Sequence, residues 1–250
     1  MSGHSKWATI KHQKGAKDQK RAKVFAKVLR QVEVAAREGG SDLTSNATLR
    51  TMYNKARDSS VPIDTIERAI KRGSGELEGV RYEAVNYEGY APNGVAVYVE
   101  TLTDNRNRTG AEMRSTFTKL GGSLAEPGAV AWQFERKGVV VLPKKVSEDE
   151  LMEVVLEAGA DDVVDDGDTW RILCEPSALT DVRAALDAAG VAYDSAEANM
   201  QPTTVVALET ADAAKQVLRL IDALDDHDDV QNVSANFDIP DSQLQELEAV

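Results

Sequence analysis

The chain has 250 residues, of which 42% are hydrophobic and 28% charged, and its net charge is −13 at neutral pH. This length allows two or three domains with ordinary cores. No run of about 20 apolar residues predicts a membrane-spanning helix, and no apolar segment follows the basic N-terminus as in a secretory signal. The single cysteine, Cys174, excludes an internal disulfide and a cysteine-based zinc site, so we expect a cytoplasmic protein.

Basic and acidic residues are concentrated in different parts of the chain. Residues 1–37 contain ten Lys and Arg and only two acidic residues, whereas residues 141–250 contain six basic and 26 acidic ones. Such a basic end attracts a polyanion, and the acidic remainder limits how that partner approaches. A nucleic acid is the first candidate, because phosphates supply most of the sequence-independent binding energy. An anionic membrane surface is the competing interpretation.

The first 75 residues predict three short helices. Over 18–38, apolar residues recur at helical spacing on one face, and Lys20, Lys23, Lys27 and Arg30 fall on the roughly opposite face. Gly39-Gly40 ends this helix. A second helix is predicted over 45–58, and a third from Asp64, where Glu67 completes a capping box.

The pattern then changes to strands. A hairpin over 82–90 and 95–102, a helix over 109–120 and a strand over 130–134 are followed much later by a strand, helix and strand over 203–208, 212–224 and 230–237. These segments are compatible with one sheet. Between them, residues 139–196 have the order βαββαβ, which is that of a ferredoxin-like domain.

The predicted fold class is therefore α+β with three domains. A small N-terminal helical bundle is followed by two α/β domains, and the third is ferredoxin-like (βαββαβ) and inserted in the second. The predicted boundaries are 1–78 for the basic helical domain, 79–136 plus 201–240 for the discontinuous α/β domain, 137–200 for the inserted acidic domain and 241–250 for a tail.

Two segments are candidates for nucleic-acid binding. In the N-terminal arm, Lys6 can neutralise a phosphate while His4 and Trp7 offer faces for base stacking, although Trp7 could equally pin the arm to the bundle. In the loop 103–109, Arg106 and Arg108 flank a helix start that Asp104 or Asn105 is expected to cap. The predicted binding residues are His4, Lys6, Trp7, Lys11, Lys14, Lys17, Lys20, Arg21, Lys23, Lys27, Arg106 and Arg108.

Catalysis and metal binding find little support. The chain has no phosphate-binding glycine loop, no nucleophile elbow and no paired-histidine zinc motif. The acidic run 161–168 is typical of a hairpin turn and 225–229 of a solvated loop, and neither has EF-hand spacing. We therefore expect no catalytic residues, no metal, no cofactor and no small-molecule substrate.

Four stretches closely resemble the YebC/PmpR family: residues 3–28, 61–73, 87–109 and 121–138. The resemblance implies three domains, the third inserted in the second, and a cytoplasmic, cofactor-free regulator of gene expression. Bacterial members are described as transcriptional regulators that bind DNA, and bacterial members have also been proposed to help ribosomes through proline-rich stretches. A mitochondrial relative is a translational activator. The turn 91–94 is less glycine-rich than the family's, which affects only local loop geometry.

The residues themselves favour RNA or the ribosome as the target. No pair of helices reads clearly as a helix-turn-helix, and nothing predicts a dimer with spaced half-sites. A basic arm and an arginine loop on an acidic body suit a crevice of folded, ribosomal RNA. DNA binding at promoters is the alternative, and no membrane partner is expected.

Overall fold

The computed structural model describes residues 17–240 and residue 243. It begins with three helices, α1 (Lys17–Gly39), α2 (Ala47–Asp58) and α3 (Ile63–Ser74). The predicted apolar stripe of α1 is buried against the other two helices, with Val32 fully inaccessible and Leu49 and Ile66 beside it in one core. The Asn46 side chain starts α2 by accepting a hydrogen bond from Leu49 N and ties it to α1 by donating to Ala35 O.

The third helix does not begin with the predicted capping box. It starts at Ile63, and Pro62 precedes it with no side-chain cap. The proline already has the φ of −58° that a helix start requires, and Ile66 N donates to its carbonyl. The carboxylates of Asp64 and Glu67 are therefore not needed as caps, and both residues are exposed.

Strands alternate with helices through the rest of the chain. In chain order these elements are β1 (Glu83–Tyr90), β2 (Ala96–Thr103), α4 (Arg106–Lys119), β3 (Ser123–Ala125), β4 (Phe134–Pro143), α5 (Glu148–Val155), β5 (Ala160–Asp165), β6 (Thr169–Cys174), α6 (Leu179–Ala188), β7 (Ser195–Pro202), β8 (Val206–Ala207), α7 (Ala211–Asp225), β9 (Val230–Ala235) and β10 (Phe237–Asp238).

The central sheet joins segments that are far apart in the sequence. Its strand order is β3-β1-β2-β9, with β2 antiparallel to both neighbours. Helices α4 and α7 cover one face, where Met113, Phe117, Leu220 and Leu224 are fully buried with the inward residues of β2. The predicted hairpin is confirmed. The last predicted strand, 230–237, divides into β9, which completes this sheet, and β10, which pairs in parallel with β8 in a separate two-stranded sheet. The expectation that the strand predicted over 203–208 joins the central sheet is therefore wrong.

The inserted unit has the predicted ferredoxin-like order. Its antiparallel sheet runs β5-β6-β4-β7, with α5 and α6 packed on one face over a separate core. Strands β4 and β7 pair from Phe134–Pro202 to Val141–Ser195, so the insertion leaves the central domain as a two-stranded ribbon. The domain boundaries given above remain our proposed division of this continuous structure.

One predicted strand is replaced by a turn around a buried carboxylate. Residues 131–133 form a 3-10 turn, and the strand begins only at Phe134. Glu88, which is 6% exposed on β1, accepts hydrogen bonds from the backbone N–H groups of Gly128, Val130 and Ala131 at 2.7–2.8 Å. This capture bends the segment away from an extended strand. Burial opposes ionisation of Glu88, but the three donors outweigh it and lower its pKa.

None of the helices in the described ranges has the length and apolar character needed to cross a membrane.

Replacing Glu88 by Ala should destabilise the protein, because one buried and two partly buried N–H groups lose their acceptor. We expect a loss of at least about 1–3 kcal/mol in the free energy of unfolding, measured by urea denaturation. Glu83→Ala, an exposed site on the same strand, is the matched control. Since the pKa of Glu88 is lowered by folding, its contribution is complete above pH ~4.3 and is lost as the pH falls through the folded pKa. Equal stability of both variants would contradict this role.

Candidate nucleic-acid interface

The described residues cover only part of the predicted interface. His4, Lys6, Trp7, Lys11 and Lys14 lie outside them, as do the side chains of Lys17, Lys20 and Arg21, whose backbone belongs to α1. The positions of Lys23, Lys27, Arg106 and Arg108 can be compared with the expectation.

The basic stripe of α1 is docked on the acidic segment, residues 225–229, which links α7 to β9. The Lys23 ammonium lies 3.1 Å from the carbonyl oxygen and 3.4 Å from a carboxylate oxygen of Asp226. Lys27 contacts the carbonyl of Asp225 at 2.6 Å and its carboxylate at 3.5 Å. Arg30 continues the row by donating to the carbonyl of Asp228 at 2.6 Å. One row of cations thus meets a row of carboxylates and carbonyls.

Asp229 is the buried centre of this contact. Asp229 is 3% exposed, and one of its carboxylate oxygens accepts a hydrogen bond from Arg30 at 3.0 Å. The other accepts from Arg108 at 2.6 Å and from the Thr109 hydroxyl at 2.7 Å. Burial alone would raise the pKa of Asp229, but Arg108, Thr109 and Arg30 together lower it, so the carboxylate is charged at neutral pH. One anion therefore joins α1 to the start of α4.

The expectation of a solvated loop over 225–229 is thus wrong for its last residue. Asp226 and Asp228 are exposed, but Asp229 is buried because two arginines and a hydroxyl converge on it from other elements. Arg108 also donates to Asp104 at 2.9 Å, so its guanidinium is held by carboxylates from two directions.

A histidine completes the network beside Arg108. His227 Nδ1 accepts from the backbone N–H of Asp229 at 3.1 Å, which assigns the proton of the neutral ring to Nε2, and Nε2 lies 2.8 Å from Glu112. Glu112, His227 and Asp229 are close enough to share a cation. However, Arg108 contacts both carboxylates. The cluster therefore reads as an ion-pair network, since its positive charge is already supplied by the guanidinium.

Arg106 is in a different environment from Arg108. Asn105 caps α4 by accepting from Arg108 N, which leaves the Arg106 side chain exposed one residue into the helix. Among the described residues it has no ion pair, and the same holds for Arg114 two turns later on the same face. The capping role predicted for Asn105 is confirmed.

The two arginines line a groove between α4 and the edge of the central sheet. Its volume is about 470 Å³, and we call it the Arg106 groove; its lining residues are Tyr87, Arg106, Asn107, Gly110, Ala111, Arg114 and Leu124. Tyr87 forms the floor, and its hydroxyl donates to the Arg106 carbonyl at 3.4 Å. Burial raises the pKa of Tyr87 although Arg106 opposes this, so the phenol remains protonated.

Arg114, Tyr87 and Gly110 were missed by the sequence-based prediction. The spacing of Arg106, Gly110 and Arg114 places all three on one helix face, and this signal was available in the sequence. The contribution of Tyr87 was not, because it depends on the packing of α4 on β1.

Replacing Asp229 by Ala should loosen α1 from the central domain and destabilise the fold, because Arg30, Arg108 and Thr109 lose a common acceptor. We expect the free energy of unfolding to fall by about 1.5–3 kcal/mol, measured by urea denaturation. Asp228→Ala, which removes an exposed carboxylate one residue earlier, is the control. A loss no larger than that of the control would show that Asp229 does not hold these elements together.

Family models describe both parts of the chain. Residues 5–76 match the TACO1/YebC protein N-terminal domain, and residues 82–237 match the TACO1/YebC second and third domain.

Full-length relatives and a solved structure agree with these matches. The chain is 56% identical to a protein of Saccharopolyspora erythraea over all of both chains, and 53% identical to one of Geobacter sulfurreducens over 99% of this chain and all of that protein. Both are named probable transcriptional regulatory proteins. The crystal structure of a conserved hypothetical protein from Aquifex aeolicus superposes with a TM-score of 0.82 at 45% identity, covering 90% of this chain and 93% of that one. The chain belongs to the TACO1/YebC family.

Proposed function

We propose that this protein is a non-enzymatic regulator of gene expression that binds nucleic acid, with RNA on the ribosome as its target in the cytoplasm. The observation that carries the proposal is the supply of cations that the fold leaves unpaired. Arg106 and Arg114 have no carboxylate partner among the described residues, although the chain has 42 acidic side chains to offer. Guanidinium groups that have no carboxylate partner in an acidic protein are suited to binding phosphate groups.

The N-terminal segment adds to this supply. Before residue 22 the chain carries five lysines and one arginine against a single acidic residue, and Trp7 and His4 provide aromatic surfaces. The strongly acidic insertion repels phosphates, so a bound nucleic acid would contact one end of the molecule. Binding through one end of the molecule is better suited to a crevice in a folded RNA than to non-specific binding along an extended strand.

DNA binding at promoters is the second candidate. It is favoured by the names of the relatives and by the short connection, residues 59–62, between α2 and α3, which has the length of a helix-turn-helix turn. In that motif the N-terminal residues of the second helix approach the bases. Here those residues include Asp64 and Glu67, both exposed carboxylates that would meet the phosphates and base edges of the groove. This arrangement disfavours α3 as a recognition helix.

The protein should co-sediment with ribosomes after treatment with DNase. The triple variant Lys20→Glu/Arg21→Glu/Lys23→Glu should lose this association, because three positive charges next to the RNA become negative. The measurement is the fraction pelleted through a sucrose cushion at physiological salt. The control is Lys145→Glu/Lys215→Glu/Arg219→Glu, with the same charge change in the acidic half of the chain. Footprinting of a defined promoter site with preference over random DNA would instead support the alternative.

If the α1 stripe binds RNA, the acidic segment competes with it for Lys23 and Lys27. Asp225→Asn/Asp226→Asn should therefore raise the affinity for RNA several-fold at low salt, since the Lys23–Asp226 pair is exposed and such a pair is worth at most about 1 kcal/mol. The dissociation constant is measured by fluorescence anisotropy. Asp181→Asn/Asp187→Asn in the inserted domain makes the same change in net charge. An equal gain in both variants would mean that only long-range charge acts.

A further inference from the structure

The Arg106 groove differs from the basic face of α1 because it is concave and has a mixed lining of aromatic, apolar and charged residues. The stripe on α1 offers a row of charges, whereas this groove combines an aromatic floor, apolar sides at Ala111 and Leu124, and arginines at both ends. Its volume of about 470 Å³ falls in the range of small-ligand pockets, roughly 300–1,000 Å³. It can therefore accept a single planar group between charged ends.

The absence of a side chain at position 110 opens the groove. Gly110 lies in the second turn of α4, where glycine costs about 1 kcal/mol relative to alanine. A Cβ built there would stand 3.5 Å from the Tyr87 hydroxyl and 3.8 Å from the ring, which is ordinary contact and no clash. The backbone does not require glycine at this position, since its φ is not in the left-handed region. What glycine provides is open space beside the hydroxyl and the adjacent ring edge of Tyr87.

The spacing of the two arginines matches a strand with more than one phosphate. Arg106 and Arg114 are eight residues apart on one helix, so their Cα atoms are separated by about 12 Å. Each guanidinium can then contact a different phosphate of one chain, with the aromatic floor between them. The Asn107 side chain, also on the rim, offers both a donor and an acceptor to a base edge.

We propose that the Arg106 groove binds an unpaired segment of RNA, with one base stacked over Tyr87 and the flanking phosphates on Arg106 and Arg114. A stacked duplex cannot occupy the groove, because its bases are paired and their faces are covered. The inference rests on the proposed function, and it names the form of RNA that this second site takes.

Two variants separate the charges from the aromatic floor. Arg106→Gln/Arg114→Gln removes the phosphate contacts from exposed positions, so the fold should be preserved. Gly110→Leu leaves the charge unchanged and covers Tyr87, and Gly110→Ala tests the smaller intrusion that the structure accommodates. Lys145→Gln/Arg219→Gln is the charge-matched control. Circular dichroism and urea denaturation verify that each variant is folded.

Binding is measured by fluorescence anisotropy with a short labelled single-stranded RNA of mixed sequence and with the same sequence as a duplex, over a series of salt concentrations. For the single strand we expect Arg106→Gln/Arg114→Gln to weaken binding about tenfold and to reduce the slope of log K against log salt by about 1.4, which corresponds to two lost phosphate contacts. Gly110→Leu should weaken binding about fivefold or more at an unchanged slope, because it blocks stacking alone. Duplex binding should change little in either variant.

The groove assignment is overturned if Arg106→Gln/Arg114→Gln binds the single strand as tightly as the control, or if single strand and duplex lose affinity equally. A different result, in which the wild-type protein binds neither RNA nor ribosomes, would overturn the proposed function itself. If Gly110→Leu is unfolded, Gly110→Ala decides: a folded Gly110→Ala variant with weakened single-strand binding supports the stacking position, and unchanged binding removes it.

Discussion

The carboxylate of Asp229 is the interaction on which the arrangement of the molecule depends. It lies in the short connection, residues 226–229, between the last helix and the last strand of the central sheet, and it reaches both α1 and the start of α4. A buried anion is unfavourable unless its charge is compensated. Here the compensation comes from two different domains, so the charge balance can be completed only when the helical domain is docked. Electrostatics thus sets the domain geometry that hydrophobic packing alone leaves open, since each domain has a separate core.

The basic residues of α1 and α4 discussed above consequently divide into two groups. Lys23, Lys27, Arg30 and Arg108 are engaged by the acidic segment and stabilise the docked arrangement, whereas Arg106 and Arg114 face a groove with no such partner among the described residues. The net charge of the chain does not distinguish the paired basic residues from the unpaired ones. A cation that is already paired with a carboxylate must break that ion pair before it can bind a phosphate of a nucleic acid. An unpaired cation can bind the phosphate without this loss. Part of the positive charge of this protein is therefore neutralised by its own acidic residues.

Local patterns predicted most of the elements, and long-range contacts account for the rest. The helical periodicity of 18–38 and the alternation around 82–102 depend on neighbouring residues, so α1 and the hairpin were predicted within one or two positions. The strand β4 was split because Glu135, Arg136 and Lys137 interrupt its apolar pattern, and those side chains are tolerated through pairing with β7. The turn before it depends on Glu88, forty residues earlier. In the candidate site, the arginines were visible in the sequence, but the pairing of Arg108 with Asp229, 121 positions away, was not.

The late position of β9 in the chain order, about 155 residues after the helical bundle, has a consequence for synthesis. The helical bundle is complete once residue 74 has left the ribosome, but the residues that cover its basic stripe are made about 155 positions later. At a rate of about 5–20 residues per second, this delay is roughly 8–30 s. During that interval the lysines of the nascent α1 segment have no intramolecular counterion from the acidic segment, next to the ribosomal RNA surface from which the chain emerges. Each newly made copy therefore passes through a state in which the basic face of α1 is not covered by the acidic segment, and that state ends when β9 joins the central sheet.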